Sequence, residues 1–168
     1  MLLDNKKIAI IGGGPGGLTL ARLLQEKGAL VKVYERDQDR YVRQQGSTLD
    51  LHEDTGLKAL LTAGLMDDFK KNYRPGADKM KITDRNMTVV YNDGDEKPEE
   101  DFGNVHFRPE IDRGPLRDVL ISSIKEENIV WDSKFTEMKP SGSGWEISFE
   151  NGTNAYADLV IASDGANS

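Results

Sequence analysis

The chain has 168 residues, of which 37% are hydrophobic and 30% charged, a balance that fits one globular core and not two. No apolar run approaches the roughly 18 residues of a bilayer-spanning helix, and Met1 to Lys7 lacks the layout of a secretory signal, so a cytoplasmic chain without a membrane partner is expected. The net charge of −7 argues against nonspecific binding to nucleic acid, and the absence of cysteine excludes a disulfide framework and a thiolate nucleophile.

Lys7 to Arg36 is the most informative stretch. Ile8 to Ile11 reads as a buried strand, Gly12-Gly13-Gly14-Pro15-Gly16-Gly17 follows as a turn, and Leu18, Ala21, Leu24 and Gln25 then fall on one helical face, with Gly28 where a helix C-cap belongs. Val31 to Tyr34 is a second strand, and Glu35 comes directly after it. Two strands joined by a helix of this length should lie parallel in one sheet.

Asp37 to Asp50 reads as an extended polar loop with a turn at Gly46-Ser47-Thr48, and Glu53 to Asn72 as one amphipathic helix broken near Gly64. Lys79 to Thr83 and Thr88 to Tyr91 form a hairpin around Asp84-Arg85-Asn86. An acidic loop follows, in which Asp93, Asp95, Glu96, Glu99, Glu100 and Asp101 against Lys97 carry most of the net charge. A strand is expected at Val105 to Phe107, then a helix opened by Ile111 to Pro115, with proline at its first position and Leu116, Val119, Leu120 and Ile124 as its buried stripe. Ile129 to Trp131 and Phe135 to Met138 read as strands, and Trp145 to Phe149 with Tyr156 to Ala162 as a hairpin turned at Asn151-Gly152.

Gly12-x-Gly14-x-x-Gly17 between a strand and a helix has the form of a dinucleotide-binding fingerprint. Gly12 allows the tight turn, Gly14 lets a pyrophosphate approach the backbone, and Gly17 lets helix and strand pack closely. The helix N-terminus offers free amides and the positive end of the helix dipole to the phosphates. Glu35 is suited to accept hydrogen bonds from ribose hydroxyls and would repel a 2′-phosphate, which favours FAD or NAD over NADP at this site. The alternatives are a turn-and-packing role for the glycines and a surface Glu35 paired with Arg36.

Gly12 to Gly17 with Tyr34-Glu35-Arg36, Gly46 to His52, and Pro109-Glu110-Ile111-Asp112-Arg113 with Leu116-Arg117 occur in an order that resembles the flavin-dependent tetracycline monooxygenases. Those enzymes belong to the single-component aromatic hydroxylases related to p-hydroxybenzoate hydroxylase, and the resemblance runs from Lys6 to Ser168. It implies an α/β fold: a Rossmann-like FAD/NAD(P)-binding domain with a parallel sheet and an added antiparallel β-meander. It also implies that Gly12, Gly14, Gly17 and Glu35 hold the ADP half of FAD, that Arg36 packs beside the adenosine, and that Arg43 serves NADPH. Asp50, Arg113 and Arg117 match cofactor-contacting positions, with a solvated surface as the alternative for each of these and for Arg43. Asp164-Gly165 resembles the motif that helps place FAD and NADPH; tetracycline-acting members can carry Asn-Gly there.

The implied reaction uses NADPH, FAD and O2 to hydroxylate an aromatic or polyketide substrate, tetracycline foremost, with antibiotic inactivation and resistance as the result. No residue is implied as nucleophile, general base or metal ligand; His52 and His106 are read as structural, and Trp131 and Trp145 as packing residues. The resemblance further implies that Met1 to Ser168 is one FAD-binding domain, the N-terminal, truncated portion of a longer and monomeric enzyme whose substrate domain and C-terminal helix lie beyond Ser168. An uncovered parallel sheet would make this portion self-associate. Rival readings are a non-catalytic FAD-binding fragment, an NAD-dependent dehydrogenase, which has no reason to carry Arg113 or Asp164-Gly165, and an interaction protein that keeps only the fold.

Overall fold

A computed structural model describes residues 3, 5–42, 46–77, 79–92, 102–104 and 106–165. In chain order its elements are β1 Lys7–Ile11, α1 Pro15–Glu26, β2 Leu30–Tyr34, β3 Thr48–Asp50, α2 Lys58–Thr62, α3 Met66–Asn72, β4 Tyr73–Arg74, β5 Lys81–Thr83, β6 Val89–Asn92, β7 Glu110–Asp112, α4 Arg113–Ser122, β8 Ile129–Val130, β9 Phe135–Ser141, β10 Gly144–Phe149, β11 Asn154–Ala157 and β12 Leu159–Ala162. They divide into two units, Met1–Gln45 with Arg117–Ser168, and Gly46–Leu116; α4 starts in the second and runs on into the first. No helix among the described residues is long and apolar enough to cross a membrane.

The first unit holds the expected parallel sheet, in the order β12-β1-β2-β8. Ile8, Ala9, Ile10 and Ile11 of β1 are all buried, the pattern of a central strand covered on both faces. Ile10 faces α1, whose Leu18 and Ala21 are fully buried. Ala9 and Ile11 face the other way, into a cluster with Tyr34, Ile147, Phe149 and Ala157. That second cover is an antiparallel meander, β11-β10-β9. The Tyr34 and Phe149 rings stack there at 4.8 Å, and burial raises the Tyr34 hydroxyl above the ordinary tyrosine value.

One expected hairpin is corrected by this arrangement. Tyr156 to Ala162 is not one strand: β11 pairs with β10, whereas β12 leaves the meander and runs parallel to β1. Asp158 makes the transfer. Its carboxylate accepts the Lys7 amide at 2.8 Å and its own amide donates to the Lys7 carbonyl at 2.8 Å, which sets the register Ile8 to Leu159. The Lys7 amide, with Lys6 beside it, holds Asp158 below the ordinary carboxylate value.

The second unit contains a three-stranded antiparallel sheet, β3-β7-β4, and the expected hairpin, β5-β6. The Glu53 to Asn72 segment breaks at Gly64 as expected, with φ of +70°, after one π-helical turn at Glu53–Leu57 leading into α2. Phe69, Tyr73, Phe102 and Phe107 pack edge and face into one aromatic cluster.

Three further expectations are corrected. Thr48 is not in a turn, because Thr48–Asp50 pairs with Glu110–Asp112, and this pairing also places Ile111 and Asp112 in a strand. The helix therefore starts at Arg113, two residues before Pro115. Phe107 is buried outside any strand; Val105 and the acidic loop from Asp93 to Asp101 lie outside the described residues.

Candidate functional site

The turn between β1 and α1 uses each glycine for a different reason. Gly12 has φ of +108°, and a Cβ built on it would overlap the backbone carbonyl of Ser163. A Cβ on Gly17 would overlap the Gly12 carbonyl oxygen and come within 3.3 Å of Ile10. Gly14 differs. Its φ of −78° suits any residue, and a Cβ there would meet no protein atom within 4 Å. Neither backbone strain nor packing requires a glycine at that position; it is the N-cap of α1, where glycine is favoured over alanine, and its bare backbone also leaves room for a ligand to approach closely. Pro15 occupies the first helical position, the amides of the first turn have no acceptor within the helix, and no acidic side chain competes for them.

Glu35 ends β2 beside this turn and is 4% exposed, so it is not a surface residue paired with Arg36. Its carboxylate accepts the Gly13 amide at 2.5 Å and the Asp37 amide at 3.0 Å. A Cβ on Gly13 would lie 2.8 Å from the Glu35 carboxylate, so any larger residue there would have to displace the Glu35 side chain. Arg117, on α4, is also 4% exposed and not solvated. Its guanidinium donates to Asp37 at 3.1 Å, to the Arg40 carbonyl at 3.2 Å and to the Gly13 carbonyl at 3.4 Å, and lies 5.5 Å from the centre of the Trp131 ring. Gly13, Asp37 and Ser163 are parts of this assembly that the spacing of the fingerprint does not reveal.

Asp164 joins the same assembly. Ser163 donates its amide to the Ile11 carbonyl, and the Asp164 Cα lies 2.8 Å from a Cβ built on Gly12. Thus Gly12, Gly14, Gly17, Glu35, Arg117 and Asp164 gather at the C-terminal end of β1 and β2, the end at which open parallel sheets bind ligands. Arg36 follows Glu35 with its side chain exposed. Asp50 and Arg113 belong to the second unit, at opposite ends of the β3–β7 ladder. Asp50 sits 3.2 Å from His52 Nε2, and the exposed Arg113 donates its amide to the Ser47 carbonyl at 3.4 Å. Arg43 lies outside the described residues.

The sequence model of a family described as "FAD binding domain" matches residues 5–112, more than half of the chain. The chain belongs to the FAD binding domain family. Among curated proteins, this FAD binding domain is similar to monooxygenase penA of Penicillium thymicola, at 32% identity over 95% of the chain and 38% of the relative. The domain thus spans well under half the length of the curated relatives it matches. Among solved structures it resembles Klebsiella pneumoniae HpxO, an R204Q variant complexed with FAD, with a TM-score of 0.76 at 21% identity over 96% of the chain and 40% of that protein. It also resembles the tetracycline destructase Tet(55), with a TM-score of 0.72 at 23% identity over 96% of the chain and 39% of that protein. These likenesses establish the Rossmann-like α/β fold with its parallel sheet.

The residues of the glycine turn fit the ADP half of FAD. A Cβ built on Gly14 meets no atom within 4 Å, the N-terminus of α1 lies next to it without first-turn carboxylates, and the Glu35 carboxylate, which accepts the Gly13 and Asp37 amides, follows the neighbouring strand.

Proposed function

We propose that this domain binds FAD by its ADP half and forms the FAD-binding part, Met1 to Ser168, of a longer flavin-dependent monooxygenase that acts in the cytoplasm. The observation that carries the reading is Gly14, a glycine that neither backbone strain nor protein packing requires, at the N-terminus of a helix without first-turn carboxylates. The matched monooxygenase and the motifs from Gly46 to His52 and from Pro109 to Arg117 support the oxygenase class over a dehydrogenase.

When bound, FAD supplies two-electron redox chemistry between a nicotinamide donor and O2. The chain's own residues bind and orient. Backbone amides at Gly14 and the first turn of α1 take the pyrophosphate, and the Gly12 and Gly17 backbones set the width of the cradle. The negative charge of Glu35 selects a ribose without a 2′-phosphate, so NADPH is the electron donor rather than the occupant of this turn. Arg36 lies against the adenosine, Arg43 takes the NADPH phosphate, Asp50, Arg113 and Asp164 act on the cofactors, and Arg117, buried and bonded to Gly13, Asp37 and Arg40, belongs to the wall of the site.

The net reaction consumes NADPH, a proton and O2, puts one oxygen on the substrate and releases the other as water. The substrate is an electron-rich aromatic or polyketide molecule, with tetracycline named by the motif resemblance, and its hydroxylation would confer resistance. NADPH oxidation by FAD-loaded protein, measured with and without tetracycline, tests this. Substrate-dependent oxidation with a hydroxylated product supports it; retained flavin without turnover supports instead a domain that binds the cofactor and leaves catalysis to other parts of a longer protein.

A further inference from the structure

Gly13 is held from both sides by buried charged groups. Its amide donates to the Glu35 carboxylate, and its carbonyl faces the Arg117 guanidinium at 3.4 Å. A trans peptide points its C=O and the following N–H in opposite directions. Fixing the Gly13 carbonyl toward Arg117 therefore turns the Gly14 amide away from it, and fixing the Gly13 amide toward Glu35 sets the preceding peptide as well. Glycine has the widest conformational freedom of any residue, so a turn of six residues with five glycines needs an external constraint to present one arrangement of amides.

We propose that Arg117 is a positioning residue of the FAD site. With Glu35 it clamps the Gly13 peptides so that the Gly14 amide is preset for phosphate, and Asp37 and Trp131 act by holding its guanidinium. The inference rests on reading the glycine turn as the FAD site, and it adds a role for Asp37 and Trp131 that the fingerprint lacks. Three donors of the guanidinium have protein acceptors, Asp37 neutralises its charge at 3.1 Å, and the Trp131 ring covers one face. Asp37 also has a role that runs against simple electrostatics. A carboxylate close to a pyrophosphate site should weaken anion binding by repulsion, yet here its charge holds the arginine that shapes the turn.

The test compares the 168-residue chain with Arg117→Lys, Asp37→Asn, the double variant and Trp131→Phe. The readouts are FAD affinity by flavin fluorescence and the Gly13 and Gly14 amide resonances of the FAD-free protein. Arg117→Lys keeps the charge but lacks the fork, and is expected to shift both resonances and weaken FAD by about tenfold or more. Asp37→Asn should weaken FAD as well, and the double variant should be no worse than Arg117→Lys alone. Trp131→Phe retains a packed ring and should shift the same resonances in the same direction by less.

Unmoved Gly13 and Gly14 resonances in folded Arg117→Lys or Trp131→Phe would overturn the clamp. Tighter FAD binding by Asp37→Asn, as repulsion alone predicts, would overturn it too. A wild-type chain that binds no FAD would remove the cofactor reading, while the amide resonances would still decide whether Arg117 orders the turn.

Discussion

Gly12 lies against the backbone of Ser163, so closely that a single added Cβ would overlap the Ser163 carbonyl. This contact joins the glycine turn to the Asp164-Gly165 motif, segments about 150 residues apart in sequence. Backbone atoms cannot yield as a side chain would, and the φ of +108° adds its own strain for any other residue. Gly12→Ala should therefore destabilise the chain by at least about 2 kcal/mol in denaturant unfolding. A loss within measurement error would mean that the two motifs do not pack as described.

Gly17→Ala tests the helix side of the same turn. Its Cβ would overlap the Gly12 carbonyl oxygen and press on Ile10, so a loss of about 1–3 kcal/mol is expected, measured in the same way. Both variants lose FAD binding through loss of the turn, not through a missing contact.

Asp158 gives a pH signature. Its native value is lowered, first by the Lys7 amide, so it binds its proton less readily folded than unfolded. Its contribution is fully present above the unfolded value of about 4 and is lost as the pH falls through the lower native one. Asp158→Asn should be less stable than wild type at neutral pH, and the gap should close on acidification in parallel denaturant titrations. A gap that stays constant down to strong acid would contradict the role assigned to that carboxylate.

Among the described residues β12 pairs only with β1, and Leu159 on it is 41% exposed. An open apolar edge strand is a template for a second copy. Light scattering should show self-association of the chain, reduced by Leu159→Lys. A monodisperse wild-type monomer would contradict this.

Local signals made β1, the glycine turn, α1 and β2 legible, including Gly28, whose φ of +75° closes the helix. Elements created by distant partners were not legible in the same way. Thr48–Asp50 is too short to show alternation and is a strand only because Ile111 and its neighbours pair with it. Leu159–Ala162 reads as the end of a hairpin arm, because nothing local says that Asp158 docks on Lys7. Arg117 shows the same limit at the site: a charged residue on an amphipathic helix looks solvated, and only the folded positions of Asp37, Gly13 and Trp131 bury it.

The most direct test is an FAD titration of the wild-type chain and Gly14→Ala, followed by flavin fluorescence, with thermal melts alongside. The structure leaves room for that Cβ at an ordinary φ, so Gly14→Ala should lose no more than about 1 kcal/mol of stability, the difference between glycine and alanine at an N-cap. It should bind FAD at least about tenfold more weakly, because the added methyl stands where the pyrophosphate meets the backbone. No saturable binding by the wild type, or equal affinity in the two proteins, would contradict the assignment of the glycine turn as the FAD site.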